Sequence, residues 1–315
     1  MNCSPSLIGL DWGTTALRAY LLADDGVVLD SRTEPWGIMH VPHGDFAAAF
    51  DAVTAEWRDT WRGLSAVAAG MVGSANGWVD APYRAAPAGA AELAAALTTA
   101  PGAGLRIVPG IASLSEHPDV MRGEETQIVG ALARSPELAT RSVLVLPGTH
   151  SKWARIEDGR VTGFTTYMTG ELFAVLRDHS ILGRAPVAPG RDVTGAVLDD
   201  AFARGVRAAQ RSPRGVAPLL FSARSLVVTD RLAGEVSLHY LSGLLIGDEL
   251  RCGLIDDGPP AALVGDAALC DRYRAALALF DIHGIPLIEN AAPAGLWTIA
   301  CRAGLVAPVG EASGA

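Results

Sequence analysis

LIGLDWGTTALRAYLLADDG fills residues 7–26, and its reading decides the fold. Apolar residues flank a short polar stretch of Asp11, Gly13, Thr14, Thr15 and Arg18, and an Asp25-Gly26 pair follows. Two apolar runs around a glycine break predict a strand, a tight turn and a second strand. The Asp-Gly turn then returns the chain along VVLDSR. A turn between strands exposes successive backbone N–H groups, and glycine lets an anion approach the backbone closely. Threonine hydroxyls add donors and arginine adds charge. An aspartate at the strand end, such as Asp11, suits Mg²⁺ held through water. The bland alternative is an Asp-capped turn whose threonines serve β propensity. On these residues alone both readings stand.

The pattern recurs. SVLVLPGTHSKWARIEDGRVTGFTT, residues 142–166, again reads strand, Gly-Thr turn, strand, Asp-Gly turn, strand. Laid over the start, Gly13 falls on Gly148 and Thr14 on Thr149, with Asp25-Gly26 answered, two positions displaced, by Asp158-Gly159. Between the two hairpins, residues 45–62 predict a helix with an aspartate N-cap and Phe46, Phe50, Val53 and Trp57 on one face. LSAVAAGMVGS reads as a buried strand running into a glycine loop, AGAAELAAALTTA as a helix and GLRIVPGI as a strand. GEETQIVGALARSPEL predicts a helix from Glu124, with acids in its first turn where the dipole favours them. Later helices are expected near 169–179, 192–211, 235–255 and 265–281. Strands alternating with helices argue an α/β architecture, with a boundary near 134–141.

The 315 residues are half hydrophobic, enough for a sizeable core. A net charge of −9 argues against a nucleic-acid partner but leaves room for an anionic small substrate at a local basic site. Cys3, Cys252, Cys270 and Cys301 form no Cys-x-x-Cys pair and no zinc spacing, and read as thiols of a reducing compartment. MNCSPSLIGLDWG has no basic segment and no long apolar run, so no signal peptide is expected. No window reaches a membrane span, and a cytoplasmic protein is expected. The tail VGEASGA is expected to fray.

Several nucleotide and nucleophile motifs are absent. There is no Walker A pattern, no Gly-x-Gly-x-x-Gly opening a helix and no Gly-x-Ser-x-Gly elbow. The seven histidines do not cluster as ligands; His40 and His43 in MHVPHGD read as loop residues.

DWGTTALRA resembles the phosphate-1 pattern of the sugar kinase/Hsp70/actin superfamily, and LPGTHSKWARIEDGRVTGF its phosphate-2 hairpin. GMVGSANGWVDAPY, VMRGEETQIVGAL, LPGTHSKW and TTYMTGELFAVL together resemble the 2-dehydro-3-deoxygalactonokinase family. The resemblance is strongest over residues 7 to about 180 and looser through LLIGDELRCGL and LVGDAALCDRYRAAL. It implies an α/β fold of two actin-like (ribonuclease H-like) lobes with an ATP and substrate cleft between them. Residues 1–135 would carry the phosphate-1 hairpin and the sugar-acid site, and residues 136–315 the phosphate-2 hairpin and the adenosine site. The implied activity is ATP- and Mg²⁺-dependent phosphorylation of the 6-hydroxyl of 2-dehydro-3-deoxy-D-galactonate.

The resemblance also distributes roles. Asp11 would position Mg²⁺ through water, with Gly13, Thr14, Thr15 and Arg18 near the phosphates. Gly148, Thr149, His150, Ser151 and Lys152 would cradle them from the other lobe. Many carbohydrate kinases carry an aspartate base where Ser151 stands, and serine cannot serve unaided. RGEETQ offers a replacement, with Glu125 preferred over Glu124 and Asp11 as fallback. For both glutamates the alternative is simple complementation of the helix dipole. The sugar-acid carboxylate needs a cation, and Arg84 and Arg122 are candidates. Ser74, Asn76 and Trp78 would meet the sugar hydroxyls, or belong to an ordinary strand–helix connection. Gly265 would wall the base pocket, or merely cap a helix.

Rival functions remain open at this point. An exopolyphosphatase-type phosphohydrolase would use the Gly-Glu-Glu helix to activate water, and a kinase for the gluconate-derived epimer would differ at one stereocentre. A nucleotide-gated binding module is a third class, for which the chain has no room for a peptide-binding domain. The expected partner is a small-molecule sugar acid, with a homodimer left open.

Overall fold

The computed structural model describes residues 4–184 and 194–306. The tail VGEASGA, Cys3 and the start of the helix expected at 192 lie outside the described residues. Two compact units emerge. One comprises 1–142, 154–164 and 288–315, the other 143–153 and 165–287.

The first unit is built on β1 (Pro5–Trp12), β2 (Leu17–Ala23), β3 (Val28–Glu34) and β4 (Ser65–Ala69). Its sheet runs β3-β2-β1-β4, then Leu105–Ile107 and Thr98–Thr99. β2 lies antiparallel to both β1 and β3, whereas β4 lies parallel to β1. The hairpin of β1 and β2 is expected from the sequence, and the parallel β1–β4 pair is added by the structure. The Asp25-Gly26 turn forms as expected, with Gly26 at φ 82°.

The period of two along β1 sorts its side chains. Ile8, Leu10 and Trp12 enter a core with Phe50, Val53 and Trp57 of helix α1 (Phe46–Thr60). Asp45 caps α1 by accepting from the Ala48 N–H, as its sequence signature required. Gly9 faces the other way, where a Cβ would lie 3.1 Å from Leu296.

The expected helix over AGAAELAAALTTA is cut short. Only α2 (Ala90–Ala94) forms, and Thr98–Thr99 pairs instead with the strand Leu105–Ile107. Sheet pairing outweighs the alanine propensity there. α3 (Glu124–Arg134) starts where its acids predicted.

In the second unit, Leu144 and Val145 pair parallel with Ala262 and Leu263. The chain's second six-stranded sheet runs Leu287–Ile288, Ala262–Val264, Arg141–Leu146, Ser151–Glu157, Arg160–Tyr167, Ala88–Gly89. α4 (Thr169–His179), α5 (Gly195–Gln210), α6 (Ser222–Val228), α7 (Ser237–Asp256) and α8 (Ala267–Ala278) follow in order. Phe202, Val206, Ile246, Leu250, Tyr273 and Leu277 share one core cluster with Val145 and Trp153.

Two helices escaped the sequence reading, α6 and the last helix among the described residues. α9 (Ala292–Arg302) packs on α3 in the first unit. The two backbones touch. A Cβ on Gly130 would overlap the Ala291 carbonyl oxygen, and one on Gly295 the Thr126 carbonyl oxygen. Only a residue without a side chain permits that approach. Gly130→Ala is therefore expected to lower unfolding free energy by about 1–3 kcal/mol, from overpacking against rigid backbone. Urea denaturation should show a lower midpoint at unchanged slope.

Candidate active site

Asp11 closes β1 and faces Arg18 across the antiparallel pair, with Arg18 Nη1 3.4 Å from Asp11 Oδ2. Arg18 is more than half exposed, so strand alternation sets it beside Asp11 while its head stays in water. Asp11 is raised above the usual aspartate range. Burial is the main cause, Glu124 adds to it, and Arg18 opposes it.

Glu124 comes near through two glycines. Gly70, after β4, has φ 96°, and a Cβ there would lie 2.8 Å from the Trp12 carbonyl and 3.6 Å from Asp11 Oδ1. Gly123, before α3, has φ 108°, and its Cβ would lie 3.3 Å from the Gly70 Cα. The first turn of α3 is thus seated against the loop that ends β4. There the Arg122 N–H donates to Glu124 Oε2 at 3.0 Å and the Gly123 N–H to Glu125 Oε2 at 2.6 Å.

The two acids then part company. Glu125 is 0% exposed, and Thr126 Oγ1 donates to its other oxygen at 3.0 Å. Burial first, then Glu124, pushes its pKa up to about 8. Glu124 keeps partial exposure. Of the two acids weighed as base, Glu125 has its carboxyl sealed inside the unit, because the α3 start turns it inward, and Glu124 is the one in part exposed.

The two hairpin turns share a property. A Cβ on Gly148 would meet nothing within 4 Å, and one on Gly13 only the Ala16 carbonyl at 3.6 Å. Neither residue has the positive φ that would itself demand glycine. Folding does not explain a glycine at either place. Thr14 and Thr15 stand exposed beside Gly13, and Thr149 and His150 beside Gly148. His150 Nε2 lies 2.5 Å from Glu171 Oε2.

Ser151 and Lys152 depart from expectation. Both are buried, at 0% and 3% exposure. Ser151 Oγ accepts from the Gly148 N–H at 3.2 Å and lies 2.9 Å from the Tyr273 hydroxyl. Lys152 Nζ donates to the His150 carbonyl at 3.1 Å. Strand alternation turns Ser151 toward the interior, so it shapes the turn from behind and does not line its face.

The proposed sugar-contact residues also separate. Trp78 stacks on Phe46 at 6.3 Å and meets Trp12 edge-on, so it packs against the core of the first unit. Ser74 donates to the Met71 carbonyl, and Asn76 is exposed. Arg84 is exposed on the short strand Arg84–Ala85. Arg122 is 8% exposed, with its guanidinium 4.3 Å from the Tyr83 ring centre. Its Nη2 donates to the Ala81 carbonyl, while Nε and Nη1 find no partner.

A cavity of about 320 Å³ in the second unit is lined by Gly148, Thr149, Phe173, Leu245, Ile246 and Tyr273 among others. Gly265 is not among its lining residues. It sits at φ 147° between the strand Ala262–Val264 and α8, 3.8 Å by its would-be Cβ from the Pro147 carbonyl. Sequence reading also missed Glu249, which is buried on α7. Its signal was an acid inside the apolar run of LLIGDEL. Among the described residues no cluster of three metal-ligating side chains occurs, and no helix is long and apolar enough to cross a membrane.

The model of one family, 2-keto-3-deoxy-galactonokinase, matches residues 11–299. The chain belongs to the 2-keto-3-deoxy-galactonokinase family. A probable 2-dehydro-3-deoxygalactonokinase of Rhizobium meliloti (strain 1021) is 38% identical over 278 residues, 85% of this chain and 87% of the relative. The 2-dehydro-3-deoxygalactonokinase of Escherichia coli (strain K12) is 37% identical over 272 residues, 85% and 88%. A crystal structure from Sinorhizobium meliloti, assigned as a 2-dehydro-3-deoxygalactonokinase, superposes with a TM-score of 0.83 at 35% identity, covering 94% of this chain and 98% of that one. The family therefore stands over both hairpins and the α3 acids of this chain.

The sealed Glu125 makes a pH-dependent prediction. Its folded pKa of about 8 stands above the ordinary value of 4.5. The preference of the fold for the protonated acid is fully felt below about pH 4.5 and is lost as pH rises through about 8. Glu125→Gln cannot ionise. Its melting temperature relative to the unsubstituted chain should rise between about pH 5 and pH 8 in thermal scans. A constant difference over that range would contradict the buried, raised carboxyl.

Proposed function

We propose that the chain transfers the γ-phosphoryl group of ATP to the 6-hydroxyl of 2-dehydro-3-deoxy-D-galactonate. The observation that carries this reading is the pair of exposed Gly-Thr turns whose glycines the fold does not need. The Gly13 and Gly148 N–H groups are themselves held by the Ala16 carbonyl and Ser151 Oγ, so what the glycines leave is open space over the turn through which a phosphate can approach the following backbone. Family membership over both turns favours a kinase above a phosphohydrolase, and the relatives' named substrate favours the galactonate-derived acid above its epimer.

In phosphoryl transfer the protein chiefly positions groups and balances charge. In the first unit, Gly13, Thr14, Thr15 and Arg18 would serve the phosphates. Asp11 would hold Mg²⁺ through water. Asp11 and the nearby Glu124 are oxygen donors, and outer contact suffices because Mg²⁺ keeps most of its hydration. Glu124 is the base in this reading. It is the accessible acid of the pair, at the first turn of α3 beside the end of β1. Glu125 holds the α3 start from behind. Arg122, with two unpartnered N–H-bearing nitrogens, would take the sugar-acid carboxylate. In the second unit, Gly148, Thr149 and His150 would meet the phosphates, and the cavity between α4, α7 and α8 would hold the adenosine.

Two measurements test this. Glu124→Gln should lower kcat in a coupled ADP-release assay by about 10²-fold or more, while Glu125→Gln, which mimics the protonated acid, retains most turnover near pH 7. The reverse ranking returns the base to Glu125. Gly148→Ala should leave the melting temperature unchanged, because its methyl meets open space, yet weaken ATP binding about tenfold or more in calorimetry by blocking backbone approach. Unchanged ATP affinity in that variant removes the turn from the nucleotide site.

A further inference from the structure

Glu249 lies on α7 with 2% of its surface exposed, and three donors converge on it. Trp153 Nε1 donates to Oε1 at 3.0 Å. Thr169 Oγ1 donates to Oε2 at 2.5 Å, and the Tyr273 hydroxyl to the same oxygen at 2.6 Å. A buried carboxylate is costly, and an apolar residue in its place is often neutral for the fold. A site that spends three donors on one buried acid calls for another explanation than packing.

Each donor belongs to an element that touches the Gly148–Thr149 turn. Trp153 follows the turn on the same strand, and its indole is pressed against α7, where a Gly253 Cβ would lie 2.5 Å from it. Thr169 opens α4. Its neighbour Gly170 would place a Cβ 2.5 Å from the Gly148 carbonyl, and the Glu171 N–H donates to the Thr149 carbonyl at 3.0 Å. Tyr273, on α8, reaches the turn through Ser151.

The protons along that last path can be assigned. The Tyr273 hydroxyl has one proton and gives it to Glu249, so at its 2.9 Å contact with Ser151 it accepts. Ser151 in turn accepts from the Gly148 N–H. The chain Gly148 to Ser151 to Tyr273 to Glu249 thus links the turn to the Glu249 carboxyl. A glutamine at 249 would turn an N–H₂ toward either the indole N–H or the two hydroxyls, and a donor would face a donor.

We infer that Glu249 is a positioning residue for the nucleotide: through Ser151 and Tyr273 it sets the Gly148 backbone, and through Trp153 and Thr169 it fixes the flanks of the same turn. This rests on the reading of that turn as a phosphate site. Glu249 itself touches no substrate.

The test compares Glu249→Gln, Ser151→Ala and their combination, with Gly148→Ala as the control on the turn itself. Steady-state kinetics with ATP and the sugar acid varied separately should show KM for ATP raised about tenfold in each single variant. KM for the sugar acid should stay within about twofold, which a general loss of folding would not produce. The double variant should be no worse than the poorer single one, because both substitutions cut one path. The inference alone is overturned if Gly148→Ala loses ATP affinity while both single variants keep theirs, or if their losses multiply. If Gly148→Ala also keeps its affinity, the phosphate reading of the turn falls and the inference with it. Should Glu249→Gln fail to fold, Ser151→Ala against Gly148→Ala decides on the same terms.

Discussion

The arrangement of the first unit depends on one backbone contact. Gly70 and Gly123 both occupy the left-handed region, and they stand so close that a single methyl on Gly123 would press on the Gly70 Cα. That contact brings the start of α3 against the end of β1. Three carboxylates, Asp11, Glu124 and Glu125, are gathered there in a partly dry place. Their mutual repulsion is carried by the backbone N–H groups of Arg122 and Gly123, by the Thr126 hydroxyl and by Arg18. The raised Asp11 and Glu125 reflect first their burial and then the charge of Glu124.

The second unit solves a related problem in a different way. Its turn at Gly148 carries no acid of its own, because Ser151 stands where many carbohydrate kinases place an aspartate. The serine is instead the first member of a buried chain that ends on Glu249. One unit thus keeps two half-buried carboxylates, Asp11 and Glu124, near its hairpin, whereas the other buries its carboxylate behind the turn. The duplication visible in the sequence is a duplication of hairpins and not of chemistry.

Local patterns foretold much of this. The Asp45 cap and the Phe50–Val53–Trp57 stripe placed α1, and the acid pair placed the start of α3, because caps and periodicity act within one or two turns of chain. α9 gave no such sign. Its Gly295 lowers helix propensity, which is offset by contacts with α3, α2 and β1, all more than 150 residues away in sequence. The shortened α2 is the converse, an alanine run whose helix yields to strand pairing. Trp78 looked like a sugar platform in its glycine loop, yet it fills the gap between Trp12 and Phe46.

By itself the sequence determined the α/β class, both Gly-Thr hairpins, the acid-opened helix between them and the family. Those are written in residue type and short spacing, and short-range sterics read them directly. Only the tertiary structure decided which of two adjacent glutamates meets solvent, which way Ser151 faces and what Glu249 holds. Each of those depends on how far apart groups lie in space when they are distant in the chain. Burial and hydrogen-bond partnership are properties of that packing, and no stretch of local sequence contains them.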